Sequence, residues 1–203
     1  MILHSISQES GIAAVKKDDL TVYCVGISTA GAAEMRMAQL HPKRHIIATT
    51  IDAEGARFVL ERVDAKGLSR QIAVKVEDVS KPLPYEDNHF DFIYARLVLH
   101  YLPRADLTHA LNGLYRVLKG GSRLFVVVRS SVDLHGRPIP HGEESYWRHF
   151  HSEASIREHL LAAGFKIEYV KSYEEHLCDD FYRRQPSTSV DTVIETVVLK
   201  IKP

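Results

Sequence analysis

The chain lacks an excess of charge of either sign, because its 26 Lys and Arg residues balance its 26 Asp and Glu residues. Affinity for nucleic acid or for an anionic membrane rests mainly on basic charge, so we expect neither kind of partner. No apolar run approaches the roughly 20 residues that a membrane span requires, and the first residues, MILHSISQES, lack the apolar core of a secretory signal. These absences predict a cytoplasmic protein.

Cysteine is also scarce, since only Cys24 and Cys178 occur and no CxxC pair is present. Cysteines so few and so far apart predict reduced thiols rather than a disulfide framework. Histidine, by contrast, is common, and the densest group is His149 and His151 with His141 upstream. No carboxylate or cysteine stands at a recognisable ligand spacing from these histidines, so we predict no metal site.

The chain alternates between β-rich and helical segments. Strands are predicted over 20–26, 45–51, 72–76, 90–95, 124–128, 165–170 and 192–201. Helices are predicted over 30–40, over 53–66, from Pro103 to the glycine pair at 120–121, and from Ser152 to 163. This order predicts a single α/β domain over 1–203, with a doubly wound, mostly parallel sheet and helices on both faces. The last two strands have no helix between them and should pair antiparallel.

Sheets of this kind bind ligands beyond the carboxyl ends of their strands, where the strand order reverses. The first strand leads into Gly26-Ile-Ser28-Thr-Ala-Gly31. A glycine there lets a ligand approach the backbone, and a helix start offers free N–H groups to an anion. The second strand leads to Asp52, whose carboxylate suits the two hydroxyls of a ribose. The alternatives are an ordinary turn for the loop and a helix N-cap for Asp52.

An acidic string follows the third strand, and an acid there is placed to accept the exocyclic amine of an adenine. The stretch VEDVSKPLPYEDNHFDFIYARLVLHYLPRADLTHALNGLYRVLKGGSRLFVVV resembles the corresponding part of class I S-adenosylmethionine-dependent methyltransferases. The shared features are an acid, Leu-Pro-aromatic, an acidic turn, Phe-Asp, a His-containing segment and Leu-Lys-Gly-Gly. The later stretch HSEASIREHLLAAGFKIEYV is similar to the helix-Gly-Phe-strand unit of the same family.

The resemblance implies a Rossmann-like methyltransferase fold with a mostly parallel seven-stranded sheet and an antiparallel last strand. It also implies S-adenosylmethionine as cofactor and methyl transfer to a small-molecule nucleophile. The cofactor-binding residues that it implies are Gly26, Ser28 and Gly31 for the methionyl end, Asp52 for the ribose, Asp78 and Val79 for the adenine, and Arg96 beside the methyl group. His100 and Tyr101 are candidate catalytic residues, with His100 as a base. The alternative for His100 is a structural role.

The first loop departs from the family's pattern of acid-x-Gly-x-Gly-x-Gly. Cys24 stands in place of the acid, which in the family helps to hold the cofactor's ammonium group, and Ser28 and Ala30 replace two glycines. Ser28 fits only if its φ avoids positive values. One alternative is therefore a methyltransferase-like domain that lost catalysis and serves as a binding or scaffold subunit. A nicotinamide-dependent oxidoreductase, suggested by G-x-S-x-x-G and Asp52, is disfavoured because no Tyr-x-x-x-Lys pair stands in a suitable place.

Residues 130–151 form a long connection without a regular pattern, which is typical of a lid or substrate loop. It carries the only tryptophan, Trp147, together with Tyr146, Arg148 and Phe150. Such side chains suit a planar or anionic substrate, and the alternative is that they only hold the loop on the sheet. The segment before the first strand is short for the family, so we expect an open pocket or one covered by the second copy of a homodimer.

Overall fold

The computed structural model describes residues 5–132, 139–141, 146–177 and 189–202. Its helices are α1 (Ile6–Ala14), α2 (Ala32–Gln39), α3 (Ala53–Ala65), α4 (Arg104–Val117) and α5 (Glu153–Ala162). Its strands are β1 (Thr21–Val25), β2 (His45–Thr50), β3 (Ile72–Val76), β4 (Phe90–Arg96), β5 (Leu118–Arg129), β6 (Ile139–His141), β7 (Tyr146–Arg148), β8 (Lys166–Leu177) and β9 (Ser189–Leu199). Among the residues so described, no helix is long and apolar enough to cross a bilayer.

Seven strands form one sheet in the order β3-β2-β1-β4-β5-β9-β8, and β6 pairs with β7 in a separate ribbon. The first five strands are mutually parallel, whereas β9 runs antiparallel to both β5 and β8. The predicted α/β sheet with antiparallel pairing of the last two strands is therefore confirmed. The strand order reverses between β1 and β4, which places the expected ligand crevice at their carboxyl ends.

The central strands are buried on both faces, so their sequences are nearly continuous apolar runs. On one face of the sheet, Met37 of α2 and Val59 of α3 pack with Phe92 in a shared core. On the other face, Leu111 of α4 and Leu160 of α5 belong to a second core. Burial of these two layers holds the strand ends, and therefore the loops that follow them, in fixed positions.

Several predicted boundaries are wrong, and strand pairing explains the largest differences, which are at the end of α4, the start of β5 and the end of β8. Helix α4 ends at Val117 rather than at the glycine pair, because the N–H groups of Asn88 and His89 donate to the carbonyls of Arg116 and Val117 at 3.0 and 2.8 Å. The chain then enters β5 directly at Leu118. Strand β8 continues beyond 170 to Leu177, because β9 pairs with it along its whole length.

Helix α1 was not predicted, because part of the face that it buries is polar. Ser7 and Gln8 are buried together with Gly11 and Ile12, so the apolar residues of this segment show no helical period. Ser5 caps the helix by accepting the N–H of Gln8 at 3.2 Å. The short N-terminal segment therefore lies against the sheet.

Gly11 lets α1 approach the aromatic rings beneath it. A Cβ at this position would lie 2.7 Å from Cε1 of Phe125 and still closer to the ring of Tyr94. Gly11→Ala should therefore lower the free energy of unfolding by about 1–2 kcal/mol, because overpacking outweighs the gain in helix propensity.

Gly113, inside α4, is the matched control for this measurement. A Cβ there would lie 3.5 Å from Cδ1 of Leu83, which is an ordinary contact. Gly113→Ala should raise the free energy of unfolding by about 0.5–1 kcal/mol. Urea unfolding followed by circular dichroism measures both variants, and equal responses would contradict the close seating of α1.

Candidate functional site

The first loop turns through left-handed backbone conformations as the chain leaves β1. Gly26, Ala30 and Gly31 have φ values of 68°, 55° and 71°. Ala30 thus adopts the conformation that suits glycine, at a cost of about 1–2 kcal/mol. Ser28 is not among the residues with positive φ. A serine therefore fits at this position without backbone strain, as the sequence analysis required. The loop also stays tied to β2, because the N–H of Ile27 donates to the carbonyl of Thr49 at 2.8 Å.

A carboxylate from α2 lies against this loop. Glu34 is fully buried, and its Oε1 accepts the N–H of Ser28 at 2.9 Å. Its Oε2 accepts the Ser28 hydroxyl, and Ser28 Oγ in turn accepts the N–H of Ala33 at 3.0 Å. Burial raises the pKa of Glu34, although the hydrogen bonds from Ser28 oppose that shift.

Glu34 was not predicted as a site residue from the sequence, although its spacing from apolar residues of the same helix indicated that it is buried. It precedes Met37 and Ala38 by three and four residues, and both of these are buried. Residues at these spacings share one face of a helix. An acid on the apolar face of an amphipathic helix is unusual unless it is paired, so this position was a candidate for a functional group.

Asp52 lies at the tip of β2 in the structural role that the sequence also allowed. Strand β2 ends at Thr50, and Asp52 caps α3 by accepting the N–H of Glu54 on Oδ1 at 3.0 Å. Its own N–H donates to Thr50 Oγ1 at 3.1 Å. The side chain is exposed at the carboxyl edge, and its contact with a ribose stays a prediction.

The acids after β3 divide between two roles. Asp78 closes a local turn, because its Oδ1 accepts the N–H of Ser80 at 2.9 Å and the Ser80 hydroxyl at 2.7 Å. Val79, the residue that follows Asp78, is buried in the core on the α4 face. The assignment of Asp78 and Val79 to an adenine stays a prediction.

Glu77, one residue earlier, is the more firmly held acid. Its carboxylate accepts the hydroxyl of Tyr23 and that of Tyr85 at 2.9 Å. Burial, assisted by this carboxylate, raises the pKa of both phenols above the usual tyrosine value. Both tyrosines therefore remain hydrogen-bond donors at neutral pH, and they orient Glu77 at the strand tip.

Arg96 is the last residue of β4, and its guanidinium binds α1. Nε donates to Ser7 Oγ at 2.6 Å and Nη2 donates to Ser5 Oγ at 2.7 Å. Glu175 of β8 lies 3.8 Å from Nη2 and accepts the N–H of Ser7 at 2.9 Å. The network is largely buried and joins α1 to strands β4 and β8. The predicted contact of Arg96 with a cofactor is not tested by this arrangement.

His100 and Tyr101 lie in a short 3₁₀ turn, Leu99–Tyr101, that follows β4. The His100 ring is fully buried, and its centroid lies 4.5 Å from that of Tyr101 and 6.4 Å from that of Phe150. The N–H of His149 donates to the carbonyl of His100 at 2.6 Å. This burial favours the structural alternative for His100, and the roles of both residues as catalytic groups stay predictions.

A cavity of about 250 Å³ opens beside this turn, between the first turns of α4 and α5. Leu102, Leu107 and Phe150 form its apolar wall. The polar lining residues are Arg104, His149, His151, Ser155, Glu158 and His159. The cavity therefore combines a ring-sized apolar surface with several hydrogen-bonding groups, as small-molecule sites do.

No three or more His, Cys, Asp or Glu residues in the described ranges are arranged to hold a metal ion. The side chains of His141, Tyr146, Trp147 and Arg148 lie outside the described part of the structure, as does Cys178. The interpretation of residues 130–151 as a lid therefore stays a prediction.

His151 makes the stability of the fold depend on pH. It is 5% exposed, and its Nδ1 lies 3.1 Å from Ser155 Oγ. Burial, together with His159 and His149, lowers the pKa of His151 to about 4. In the unfolded chain His151 is protonated below about pH 6.5, whereas in the folded chain it stays neutral down to about pH 4. The free energy of unfolding therefore falls as the pH drops from 6.5 towards 4.

We expect wild-type protein to lose about 2 kcal/mol of unfolding free energy from this group between pH 7 and pH 5. His151→Gln should remove that part of the pH dependence. Denaturant unfolding at several pH values measures it, with substitution of the exposed His45 as control. A slope that His151→Gln leaves unchanged would contradict the burial of a neutral imidazole.

Gly26 packs directly under the turn after β4. A Cβ there would lie 2.7 Å from Cγ2 of Val98, whereas a Cβ at Gly67 would meet nothing within 4 Å. The two glycines have nearly equal φ values of 68° and 67°. Alanine at either position therefore carries the same backbone strain, of about 1–2 kcal/mol, and only alanine at Gly26 adds a clash.

Gly26→Ala should lower the free energy of unfolding by about 1–3 kcal/mol more than Gly67→Ala. Thermal unfolding of the two variants and wild type provides the comparison. If the two variants unfold at the same temperature, the result contradicts the close contact between Val98 and Gly26 of the first loop.

A family model described as a methyltransferase domain matches residues 23–126, which is about half of the chain. The ubiquinone/menaquinone biosynthesis C-methyltransferase UbiE of Allorhizobium ampelinum is 31% identical over 135 residues, covering 65% of this chain and 51% of that protein. The corresponding protein of Agrobacterium fabrum is 38% identical over 89 residues, covering 43% and 33%. The chain thus spans about half the length, or less, of these curated relatives.

Solved structures share the whole fold at low sequence identity. A SAM-dependent methyltransferase from Methanosarcina mazei superposes with a TM-score of 0.77 at 19% identity, covering 100% of both chains. One from Aquifex aeolicus has a TM-score of 0.69 at 18% identity, covering 97% of this chain and 90% of the other. The [4+2]-cyclase SpnF has a TM-score of 0.70 at 17% identity, covering 96% and 81%. The same fold therefore occurs in proteins named for different reactions.

Proposed function

The chain belongs to the methyltransferase domain family, and from this premise we propose that it transfers the methyl group of S-adenosylmethionine to a small molecule. The observation that carries the proposal is the point between β1 and β4 at which the strand order reverses, where sheets of this kind bind their ligands. The left-handed first loop borders it on one side, and acids at the tips of β2 and β3 lie in line with that loop along the carboxyl edge.

The residues at this edge fit an adenosyl cofactor. Asp52 presents an exposed carboxylate of which only Oδ1 is engaged in the helix cap, which leaves an oxygen for ribose hydroxyls. Asp78 and the backbone of Val79 follow β3 and are assigned to the adenine. Gly26 and Gly31 keep side chains away from the start of α2, and they are assigned with Ser28 to the methionyl end.

S-adenosylmethionine supplies an electrophilic methyl group on its sulfonium. The protein's part is to hold the acceptor in line with that group, and such positioning can account for much of the rate. A base is required only for an acceptor that arrives protonated. Tyr101 is half-buried and directly precedes Leu102 of the cavity wall in the chain, so we assign it, rather than the fully buried His100, to the acceptor.

We assign the acceptor to the cavity of about 250 Å³ between α4 and α5. Phe150 offers a ring face, and the imidazoles and Ser155 offer hydrogen bonds. The curated relatives are named as C-methyltransferases of ubiquinone/menaquinone biosynthesis, so a carbon atom of a small planar molecule is the acceptor that we propose. We also propose a cytoplasmic location, no nucleic-acid partner and assembly as a homodimer.

A second candidate function is a binding or scaffold subunit without catalysis. The observation that favours it is the state of the first loop, where Glu34 already binds the N–H of Ser28 at 2.9 Å. The guanidinium of Arg96 also favours this candidate, because it already donates hydrogen bonds to Ser5 and Ser7 of the protein itself. Binding of the cofactor without turnover of any acceptor would identify this candidate.

Isothermal titration calorimetry tests the proposal with S-adenosylmethionine, S-adenosylhomocysteine and the nicotinamide dinucleotides. Saturable binding of the two adenosyl compounds and none of the dinucleotides is the expected result. Binding of a dinucleotide alone would favour the oxidoreductase, and binding of no adenosyl compound would overturn the proposal.

Two variants of Asp52 distinguish its proposed contact with the ribose from its role as a helix cap. Asp52→Ala should weaken S-adenosylhomocysteine binding by about 10- to 150-fold, since hydrogen bonds to a charged group contribute about 1.5–3 kcal/mol. It should also destabilise the fold by about 1 kcal/mol through loss of the cap.

Asp52→Ser is the matched variant, because serine caps a helix as well as aspartate does but offers no carboxylate. It should keep the wild-type melting temperature and show the same loss of affinity as Asp52→Ala. Wild-type affinity in Asp52→Ser would show that Asp52 acts only as a cap.

A further inference from the structure

The first loop carries no negative charge of its own. Cys24, on β1 just before the loop, is fully buried. Burial raises the pKa of its thiol well above the usual cysteine value, and the nearby Glu34 carboxylate raises it further. The thiol is therefore neutral at physiological pH, and Cys24 supplies no negative charge to the loop.

Glu34 places a carboxylate beside the loop. Both of its oxygens bind Ser28, one through the backbone N–H at 2.9 Å and the other through the hydroxyl. These bonds hold the loop at the residue that precedes its left-handed turn. Burial raises the pKa of Glu34, the hydrogen bonds from Ser28 oppose that rise, and the positive charge of Arg96 opposes it to a smaller extent.

A charge in this position weakens the core in which it lies. Glu34 is fully buried on a helix face whose other members include Ala33, Met37 and Ala38, and an apolar side chain there would avoid the desolvation of a carboxylate. Core packing therefore does not explain the residue. The hydrogen bonds that its carboxylate accepts from side chains and loop backbone both come from Ser28 of the first loop.

The methionyl end of the proposed cofactor carries an ammonium group and a sulfonium, which are two positive charges close together. A site for them requires negative charge nearby, and the attraction is strong where water is excluded. We propose that Glu34 is the positioning residue that holds the first loop and supplies the negative charge for that ammonium group. This inference rests on the proposed function.

The test compares two probes that differ in the charged end. S-adenosylhomocysteine has the ammonium group, and 5′-methylthioadenosine shares the adenosine and thioether but lacks it. Glu34→Gln keeps groups that can bond Ser28 and removes the charge. It should weaken S-adenosylhomocysteine binding by about 10- to 150-fold and leave 5′-methylthioadenosine binding within about twofold of wild type.

Glu9→Gln is the control, because Glu9 is an exposed acid that pairs with Arg36 of α2. It should leave both affinities unchanged. Melting temperatures accompany each titration, and Glu34→Gln should melt at or above the wild-type temperature because a buried charge has been removed.

The double variant Cys24→Asp with Glu34→Gln returns a carboxylate to the end of β1, just before the first loop. It should recover S-adenosylhomocysteine binding at least fivefold relative to Glu34→Gln. Wild-type affinity in Glu34→Gln, or an equal loss for both probes, would overturn the proposed role of the charge. If wild-type protein binds neither probe, the proposed function itself fails, and the inference about Glu34 fails with it.

Discussion

Reversal of strand order between β1 and β4 is the constraint on which the rest of the molecule depends. The chain leaves β1 for α2 on one face of the sheet, whereas it leaves β4 for α4 on the other face. The two exits diverge at the place where sheets of this kind form a ligand crevice, and the first loop turns sharply there. The left-handed residues and the close contact of Gly26 with Val98 follow from that geometry.

Buried polar groups concentrate around this crevice. Glu34 holds the loop from α2, while Arg96 and Glu175 hold the start of α1 from β4 and β8. Arg96 and Glu175 thereby join parts of the chain that are far apart in sequence, whereas Glu34 and Ser28 are six residues apart. Apolar packing forms the two cores, and these polar contacts set how the elements meet at the edge where a ligand would bind.

The seven strands of the main sheet and most helices could be predicted because they follow local patterns, whereas the short ribbon of β6 and β7 lies in a segment that was expected to have no regular structure. Strand β3 was predicted at its observed bounds, and the starts of α3 and α5 were marked by the caps Asp52 and Ser152. The ends of α4 and β8 could not be predicted, since contacts with β4 and β9 decide them. Helix α1 was missed because its buried Ser7 and Gln8 interrupt the apolar period.

The sequence by itself determined the α/β class, the antiparallel last pair and the positions of the loops that follow the first strands, because these depend on periodicity and on residues adjacent in the chain. Only the tertiary structure decided that Glu34 meets Ser28 and that Glu77 meets Tyr23 and Tyr85. It also decided that Arg96 meets Ser5 and Ser7 and that His100 is buried. These pairings join residues on different elements, and no local pattern specifies which side chains packing will bring within hydrogen-bonding distance.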